Sequence, residues 1–357
     1  MWAPVTARIE ELRANDFRCF ESLVWQPDPG TNFLIGANAQ GKTSILEAVC
    51  AVLRLQSPRT NRLQEAVRHG CEAFALRADI GGRRLQFRYQ VSGRELTVDG
   101  VAQPRSDTYL QAGRVAWFAN DHLQLVSGAS AGRRRFLDFL ASQVEPGYQR
   151  RLRSYDRALR SRNLLLRDGP HRGRELAAYD APLVEHGSAI LQTRRLLSTE
   201  LAPRVIAACA EISGTAEQFD VAYIPGVIGE FAEALAASAD EERRLRLTVI
   251  GPHRDDLRLT LDGKDADSYA SEGQQRTLVL GMKLAQSRLL AAHTGAAPFF
   301  LLDDIFGELD PTRRNRLLAA LPADAQTLIT TTHLDWLTDL PATIFEVSSQ
   351  RLNRIHP

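Results

Sequence analysis

The chain alternates between two hydrophobic rhythms. Up to about residue 120 the apolar positions come in short stretches with the period of strands. Residues 9–20 read as a strand and turn, and residues 73–91 and 94–98 as hairpin strands that reverse at Gly81-Gly82 and Asp99-Gly100. From about residue 133 to 212 the period lengthens to that of helices. Phe136, Leu137, Phe139 and Leu140 mark one apolar face, Leu152, Tyr155 and Leu159 a second, and residues 183–201 a third. Gly169-Pro170-His171-Arg172-Gly173 interrupts them and predicts a loop between helices. A strand at 220–223 with a helix behind it is expected within 213–245. Strand patterns return at 245–250 and 257–261, with a turn at Asp262-Gly263, and a helix follows over about 271–292. Phe299-Phe300-Leu301-Leu302 is an unbroken apolar run, suited to a parallel strand covered on both faces. β-rich ends around a helical middle predict an α/β fold with a helical insertion.

The most specific chemistry sits at one junction of these rhythms. Gly36-Ala37-Asn38-Ala39-Gln40-Gly41-Lys42-Thr43 fits the phosphate-loop pattern G-x-x-x-x-G-K-S/T at every fixed position. A short apolar strand at 32–35 precedes it. A helix over 44–55 follows, with Ile45, Leu46, Val49 and Val52 on one side. Such a turn aims backbone N–H groups and the positive end of the helix at a phosphate chain. Residues 36–43 and Ser44 are therefore expected to bind ATP. Lys42 would reach the β- and γ-phosphates, and the Thr43 hydroxyl would hold Mg²⁺.

Further motifs follow in a telling order. The apolar run at 299–302 ends in Asp303 and Asp304. A carboxylate at the end of such a strand holds Mg²⁺ in phosphate-loop enzymes, which fits Asp303. Asp304, one residue on, is placed to orient or deprotonate the attacking water. Ser271 and Gln274 have the spacing of a capping box at a helix start. Ser271-Glu272-Gly273-Gln274-Gln275-Arg276 also resembles the signature of ABC-type ATPases, whose serine and glycine contact the γ-phosphate held by the other subunit. Gly307-Glu308-Leu309-Asp310 stands where those enzymes carry a dimer-contacting loop. Residues 328–333 read as a strand ending in His333, the position of their switch histidine.

Composition limits the class. The 357 residues are enough for two domains or one large one, and hydrophobic residues make up 44% of them at a mean hydropathy of −0.23. No apolar run approaches the roughly 20 residues that cross a bilayer. The first residues lack the layout of a secretion signal, and Cys19, Cys50, Cys71 and Cys209 are scattered without metal-ligand spacing. A cytoplasmic protein with reduced thiols is expected. The net charge is only +1, yet residues 133–174 hold twelve arginines against four acids. That stretch reads either as a footprint for nucleic acid or as a solvated helical surface.

Taken together, these residues resemble the RecF family, recombination-mediator ATPases related to SMC-type heads. Asp16-Phe17-Arg18-Cys19-Phe20 is similar to an early N-F-R-x-Y segment, and Ser57-Pro58-Arg59-Thr60 to S-F-R-T. Gly132-Arg133-Arg134-Arg135-Phe136-Leu137-Asp138 is similar to R-R-R-F-L-D. Gly251-Pro252-His253-Arg254-Asp255-Asp256-Leu257 and Gly273-Gln274-Gln275-Arg276-Thr277 match family blocks without a mismatch. Departures stand at Glu272, where Gln is usual, at Gly307, where Ser is usual, and at Arg246, where Gly is frequent. Asn120-Asp121-His122 replaces P-E-D.

The resemblance implies an ABC/SMC-type ATPase head. Lobe I would take 1–125 and 246–357 as a mixed sheet with helices, and a mainly helical lobe II would take 126–245, followed by the signature at 271–276. Catalysis would fall to Lys42, Asp303, Asp304 and His333. Arg18, Ser271, Gly273 and Gln274 would join the phosphate loop in holding nucleotide, and Asp121 would join Thr43 and Asp303 at Mg²⁺. An intralobe salt bridge is the other reading of Arg18. Arg133, Arg134 and Arg135 would line DNA or pair with acids across the lobe interface. His253, Arg254 and Asp255 mix acid, base and charge and read either as catalytic or as a structural network packing one lobe on the other; they are left out of the catalytic set. ATP would close a homodimer on single-strand gaps and double-stranded DNA. Slow hydrolysis would release it, and RecR, RecO and, indirectly, RecA would act with it. A transporter's nucleotide-binding subunit, an ATP-gated structural DNA clamp and a phage-defence relative are the competing readings. The first lacks its Gln loop here.

Overall fold

The structure is a computed structural model that describes residues 8–60, 62–168, 173–337 and 341–355; the side chains of residues 120, 121, 173 and 174 lie outside it. The chain divides into two compact units, Met1–His122 with Glu211–Gly214 and Leu280–Pro357, and Leu123–Ala210 with Thr215–Val279.

The first unit is built on two sheets. One has six strands in the order Arg351–Ile355, Ala342–Ser348, Thr31–Ile35, Thr327–Thr331, Phe299–Asp303 and Val115–Ala119. All neighbours are parallel except the terminal pair Ala342–Ser348 and Arg351–Ile355. Every residue of Phe299–Asp303 and of Thr327–Thr331 is buried, as expected of central strands in a parallel sheet covered on both faces. The other sheet is antiparallel, in the order Phe20–Trp25, Ile9–Phe17, Ala73–Ile80, Arg83–Gln90, Gly93–Val98 and Val101–Ala102. Burial alternates along Ala73–Ile80, the pattern of a sheet with one face inward. Between these sheets the helix Lys42–Arg54 packs against strands of both, and every residue from Ser44 to Arg54 is buried.

The second unit carries the helices Ser130–Val144 and Tyr148–Asp168 and most of the 41-residue helix Gly173–Ser213. The loop expected at 169–173 lies outside the described residues, apart from Gly173, which opens that helix. A small antiparallel sheet orders Lys264–Asp265, Asp256–Leu261 and Phe219–Ile224. That ladder corrects the expected boundary. Residues 246–279 belong to the helical unit, because Asp256–Leu261 pairs along its length with Phe219–Ile224. Conversely, Glu211–Gly214 belongs to the first unit. The signature helix Glu272–Thr294 begins in one unit and ends in the other.

Residues 245–250 do not form the expected strand. Leu245 closes the helix Ala239–Leu245, and Arg246 takes a left-handed cap at φ 55°. Beyond it, Thr248 N–H donates to Asn163 Oδ1 at 2.8 Å and Val249 N–H to Glu242 Oε1 at 3.2 Å. Side chains thus take the donors that a ladder would need. The left-handed cap also explains why glycine suits position 246.

His253 and Asp255 do enter a network, but it lies inside the second unit. The Arg194 side chain, 3% exposed, donates to Asp255 Oδ2 at 2.6 Å, to the Pro252 carbonyl at 2.6 Å and to Asp138 Oδ1 at 2.8 Å. Tyr223 Oη and Gly226 N–H donate to the two oxygens of Asp255, both at 2.7 Å. The Tyr155 hydroxyl and His253 Nδ1 lie 2.6 Å apart. The buried carboxylate is thereby saturated, as a charge out of water must be.

Candidate functional site

Parallel pairing brings the ends of three strands to one place in the first unit. Thr331 is opposite Ile35, and Thr330 is opposite Asp303. The carboxyl ends of adjacent parallel strands are where α/β folds place ligands. The chain leaves Ile35 through Gly36, whose φ is 152°. A Cβ there would stand 2.3 Å from the Val347 carbonyl oxygen, so the neighbouring strand closes the turn to larger residues. Ala39 at φ 64° and Gly41 at φ 101° continue the tight path, and the helix starts at Lys42. The strand–turn–helix is the one expected, displaced by a residue or two at its ends.

Lys42 Nζ curls back and donates to the carbonyls of Gly36 at 2.6 Å and Ala37 at 2.8 Å. Burial pushes its pKa down, while Asp304 and Asp303 oppose the shift. Thr43 Oγ1 donates to Asp303 Oδ1 at 2.8 Å, and Thr330 Oγ1 donates to the same oxygen at 2.7 Å. Burial raises the Asp303 pKa and Asp304 adds to the rise; the two threonine bonds and the nearby Arg59 charge oppose it. Asp304 sits in a left-handed conformation at φ 51°, held by its N–H bond to Thr330 Oγ1 at 2.9 Å. Such backbone strain persists only where the surroundings fix it. Burial again raises the Asp304 pKa, with Lys42 and His333 opposing and Glu308 reinforcing.

Lys42, Thr43, Asp303, Asp304 and His333 thus converge. His333 lies two residues beyond its strand, exposed, with its carbonyl accepting Thr331 Oγ1 at 3.0 Å. The donor set fits Mg²⁺: a hydroxyl and a carboxylate, both hard oxygens, already in hydrogen-bond contact. The Asp121 side chain, the third expected ligand, lies outside the described residues.

Other expected residues are placed differently. Arg18 Nη2 and Nε donate to the two oxygens of Glu47 at 2.6 and 2.9 Å, and Nη1 donates to the Glu65 carbonyl at 2.6 Å. The intralobe salt bridge, one of the two readings of Arg18, is formed. Arg133 pairs with both oxygens of Asp256 at 2.6 and 3.0 Å and caps the Gly128 carbonyl at 2.8 Å. Arg134 donates to Ser130 Oγ and to the Asp255 carbonyl, each at 2.8 Å. These two arginines are bound within their own unit, while the Arg135 side chain is exposed.

In the second unit the signature forms the capping box. Ser271 N–H donates to Gln274 Oε1 at 2.8 Å, and Gln274 N–H donates to Ser271 Oγ at 3.4 Å. Gln274 Nε2 is anchored on Glu217 at 2.9 Å. Gly273 lies in the first turn, its carbonyl accepting Thr277 Oγ1 at 2.9 Å. Glu272, the departure from the family pattern, pairs with Arg276 one turn on at 2.6 Å.

Sequence reasoning missed two members of the first unit's site. Thr330 was only one of several threonines in a strand, and its role needs the register opposite Asp303. Glu47 did leave a signal: an acid among Ile45, Leu46 and Val49 on a helix that buries every neighbour.

Comparison with known proteins identifies the family. The RecF/RecN/SMC N terminal domain family matches residues 8–354. The DNA replication and repair protein RecF of Anaeromyxobacter sp. (strain Fw109-5) is 42% identical over 342 residues, covering 91% of this chain and 92% of that protein. RecF of Myxococcus xanthus (strain DK1622) is 38% identical over 344 residues, covering 91% and 90%. Among solved structures, the recombination mediator protein RecF bound to ATP, from the RecFOR pathway, superposes with a TM-score of 0.87 at 26% identity, covering 99% of both chains. An SMC head bound to the C-winged helix domain of ScpA shares the fold, at a TM-score of 0.57 and 15% identity over 97% of this chain and 96% of its own. The chain belongs to the RecF family.

Proposed function

We propose that this protein is an ATP-dependent DNA repair and recombination mediator of RecF type, acting in the cytoplasm. The observation that carries the reading is the bond between Thr43 Oγ1 and Asp303 Oδ1 at 2.8 Å, which ties the phosphate loop to the paired acids. A site so built suits a nucleoside triphosphate with Mg²⁺. The ion, held by Thr43 and Asp303 with Asp121 as a further candidate, would neutralise charge on the β- and γ-phosphates.

The residues divide the remaining work. Backbone N–H groups of 36–44 and the helix end cradle the phosphates. Lys42 turns its ammonium from the Gly36 and Ala37 carbonyls to phosphate. Asp304 orients or deprotonates the attacking water, and His333 faces the γ-phosphate. The RecF bound to ATP supports ATP as the nucleotide. Ser271 and Gly273 of a second copy would complete the site, so ATP would close a dimer on DNA. Hydrolysis, slow because Asp304 is short, would release it. RecR and RecO are the expected partners, with RecA loading at gaps as the outcome.

A steady-state ATPase assay with and without gapped DNA, on wild type and Asp303→Asn, tests this. Slow hydrolysis by wild type, lower by roughly 100-fold or more in the variant, is expected. Equal hydrolysis by both would overturn the assignment of Asp303. A wild type that neither binds nor hydrolyses ATP would overturn the reading.

A further inference from the structure

The hairpin near the end of the chain reaches past the phosphate-loop strand. Its first strand, Ala342–Ser348, runs parallel to Thr31–Ile35, with Glu346 opposite Ile35. This register carries the following residues on beside the phosphate loop, where the Val347 carbonyl lies against Gly36. Ser348 then pairs with Arg351, so Ser349 and Gln350 alone form the turn. Both are left-handed, at φ 48° and 62°. That is the backbone of a type I′ turn, which favours Asn and Gly. Neither residue here is of that kind, and such strain persists only where the surroundings fix it.

One bond ties this turn to the phosphate loop. A two-residue turn leaves the N–H of its first residue outside the strand ladder. Ser349 donates that N–H to Gln40 Oε1 at 2.8 Å. Gln40 is half-buried, while Ala37, Asn38 and Ala39 before it are exposed. From within, Lys42 Nζ holds the carbonyls of Gly36 and Ala37. The exposed stretch of the loop is therefore held on its inner side by Lys42 and on its outer side by the Gln40 amide.

The geometry points to the Gln40 side chain as a positioning group that fastens the phosphate loop to the hairpin turn Ser349-Gln350 and keeps the loop in its anion-binding shape while Lys42 changes partners. The inference rests on the ATP reading above, in which Lys42 leaves the two carbonyls for phosphate. That exchange removes the loop's inner bonds. The bond from Ser349 to Gln40 uses no group that phosphate takes, so it lasts through the exchange. Backbone N–H groups already arranged for an anion bind it more tightly, because little ordering remains to be done on binding. Gln40 thereby serves diphosphate and triphosphate alike, since both lay phosphates in the same loop. It acts on binding and leaves the chemical step to the paired acids.

The test measures binding of fluorescent N-methylanthraniloyl ADP and AMP-PNP, each with Mg²⁺, to the full chain, together with steady-state ATP hydrolysis. Gln40→Met keeps the length of the side chain and removes the acceptor. Ser349→Val keeps the N–H but sets a β-branched residue at a left-handed position, which disfavours the turn. Each change alone should weaken both nucleotides by about fivefold, the worth of one ordinary hydrogen bond. KM for ATP should rise by a similar factor while kcat stays within about twofold. In the Gln40→Met background, Ser349→Val should add no more than about twofold, since the two act through one bond. Full additivity, unchanged binding in Gln40→Met, or a fall in kcat at constant KM overturns the inference and leaves the ATP reading standing. A folded wild type that binds neither nucleotide overturns both. Should Gln40→Met fail to show a cooperative melt, Gln40→Ala replaces it in the same cycle, with the same expected direction and the same overturning results.

Discussion

Individual side chains here are placed against their own preferences. The Asp303 pKa is raised by burial, so ionising this carboxyl costs more in the folded state than in the unfolded one. A carboxyl raised in this way stabilises the fold fully below its unfolded pKa and loses that contribution as pH rises through the folded value. At neutral pH its charge therefore opposes folding until a cation arrives. Asp303→Asn keeps an oxygen to accept from Thr43 and Thr330 and removes the charge. The nucleotide-free variant should melt no lower than wild type, although hydrolysis is lost; a clearly lower melting temperature would contradict this cost. His253 behaves in the opposite sense. Burial lowers its pKa to about 4. A depressed base stabilises the fold above its unfolded pKa and loses the contribution as pH falls through the folded one. Between about pH 6.5 and pH 4 this should remove about 3 kcal/mol at most. Denaturant titrations of wild type and His253→Gln across that window would show it, as a shallower pH dependence in the variant; identical slopes would contradict it.

At the scale of elements, the site depends on one turn wedged between strands. Gly36 lies against the Val347 carbonyl, in the strand Ala342–Ser348 that flanks the phosphate-loop strand. Gly36→Ala must push that backbone away, which should cost about 1–3 kcal/mol and weaken ATP binding with it. Thermal melts and nucleotide titration would measure both; unchanged values would mean the turn is looser than it looks. Much of this was legible beforehand. The strand before the loop, the helix after it and the strand before Asp303 all announced themselves, since pattern and turn chemistry agree there. Val115–Ala119 and Ala342–Ser348 went unread, although both complete the parallel sheet. Residues 245–250 have a strand's composition, but Asn163 and Glu242 take their backbone donors, and both lie elsewhere in the chain. Such partners leave no trace in local periodicity.

At the scale of the molecule, the residues assigned to phosphate under the proposed function fall in two units. The first holds the loop, the paired acids and His333; the second holds Ser271 and Gly273 at the start of a helix that runs on into the first. The order of these motifs along the chain was readable, and so was the family. The unit boundary was not, because residues 246–279 are claimed by a ladder with Phe219–Ile224 rather than by anything near them in sequence. The arginine-rich stretch was readable only as charge. Arg133 and Arg134 bind acid and carbonyl groups of their own unit, leaving Arg135 as the first arginine to test for salt-sensitive DNA contact.

Under the proposed function, ATP joins two copies through Ser271. Light scattering on wild type and Ser271→Arg, with ATP, ADP or no nucleotide, and with or without gapped DNA, tests it most directly. A dimer is expected with ATP alone among the nucleotides, absent in the variant, with DNA binding by that dimer that weakens as salt rises. A wild type that remains monomeric with ATP and DNA at high protein concentration would contradict it.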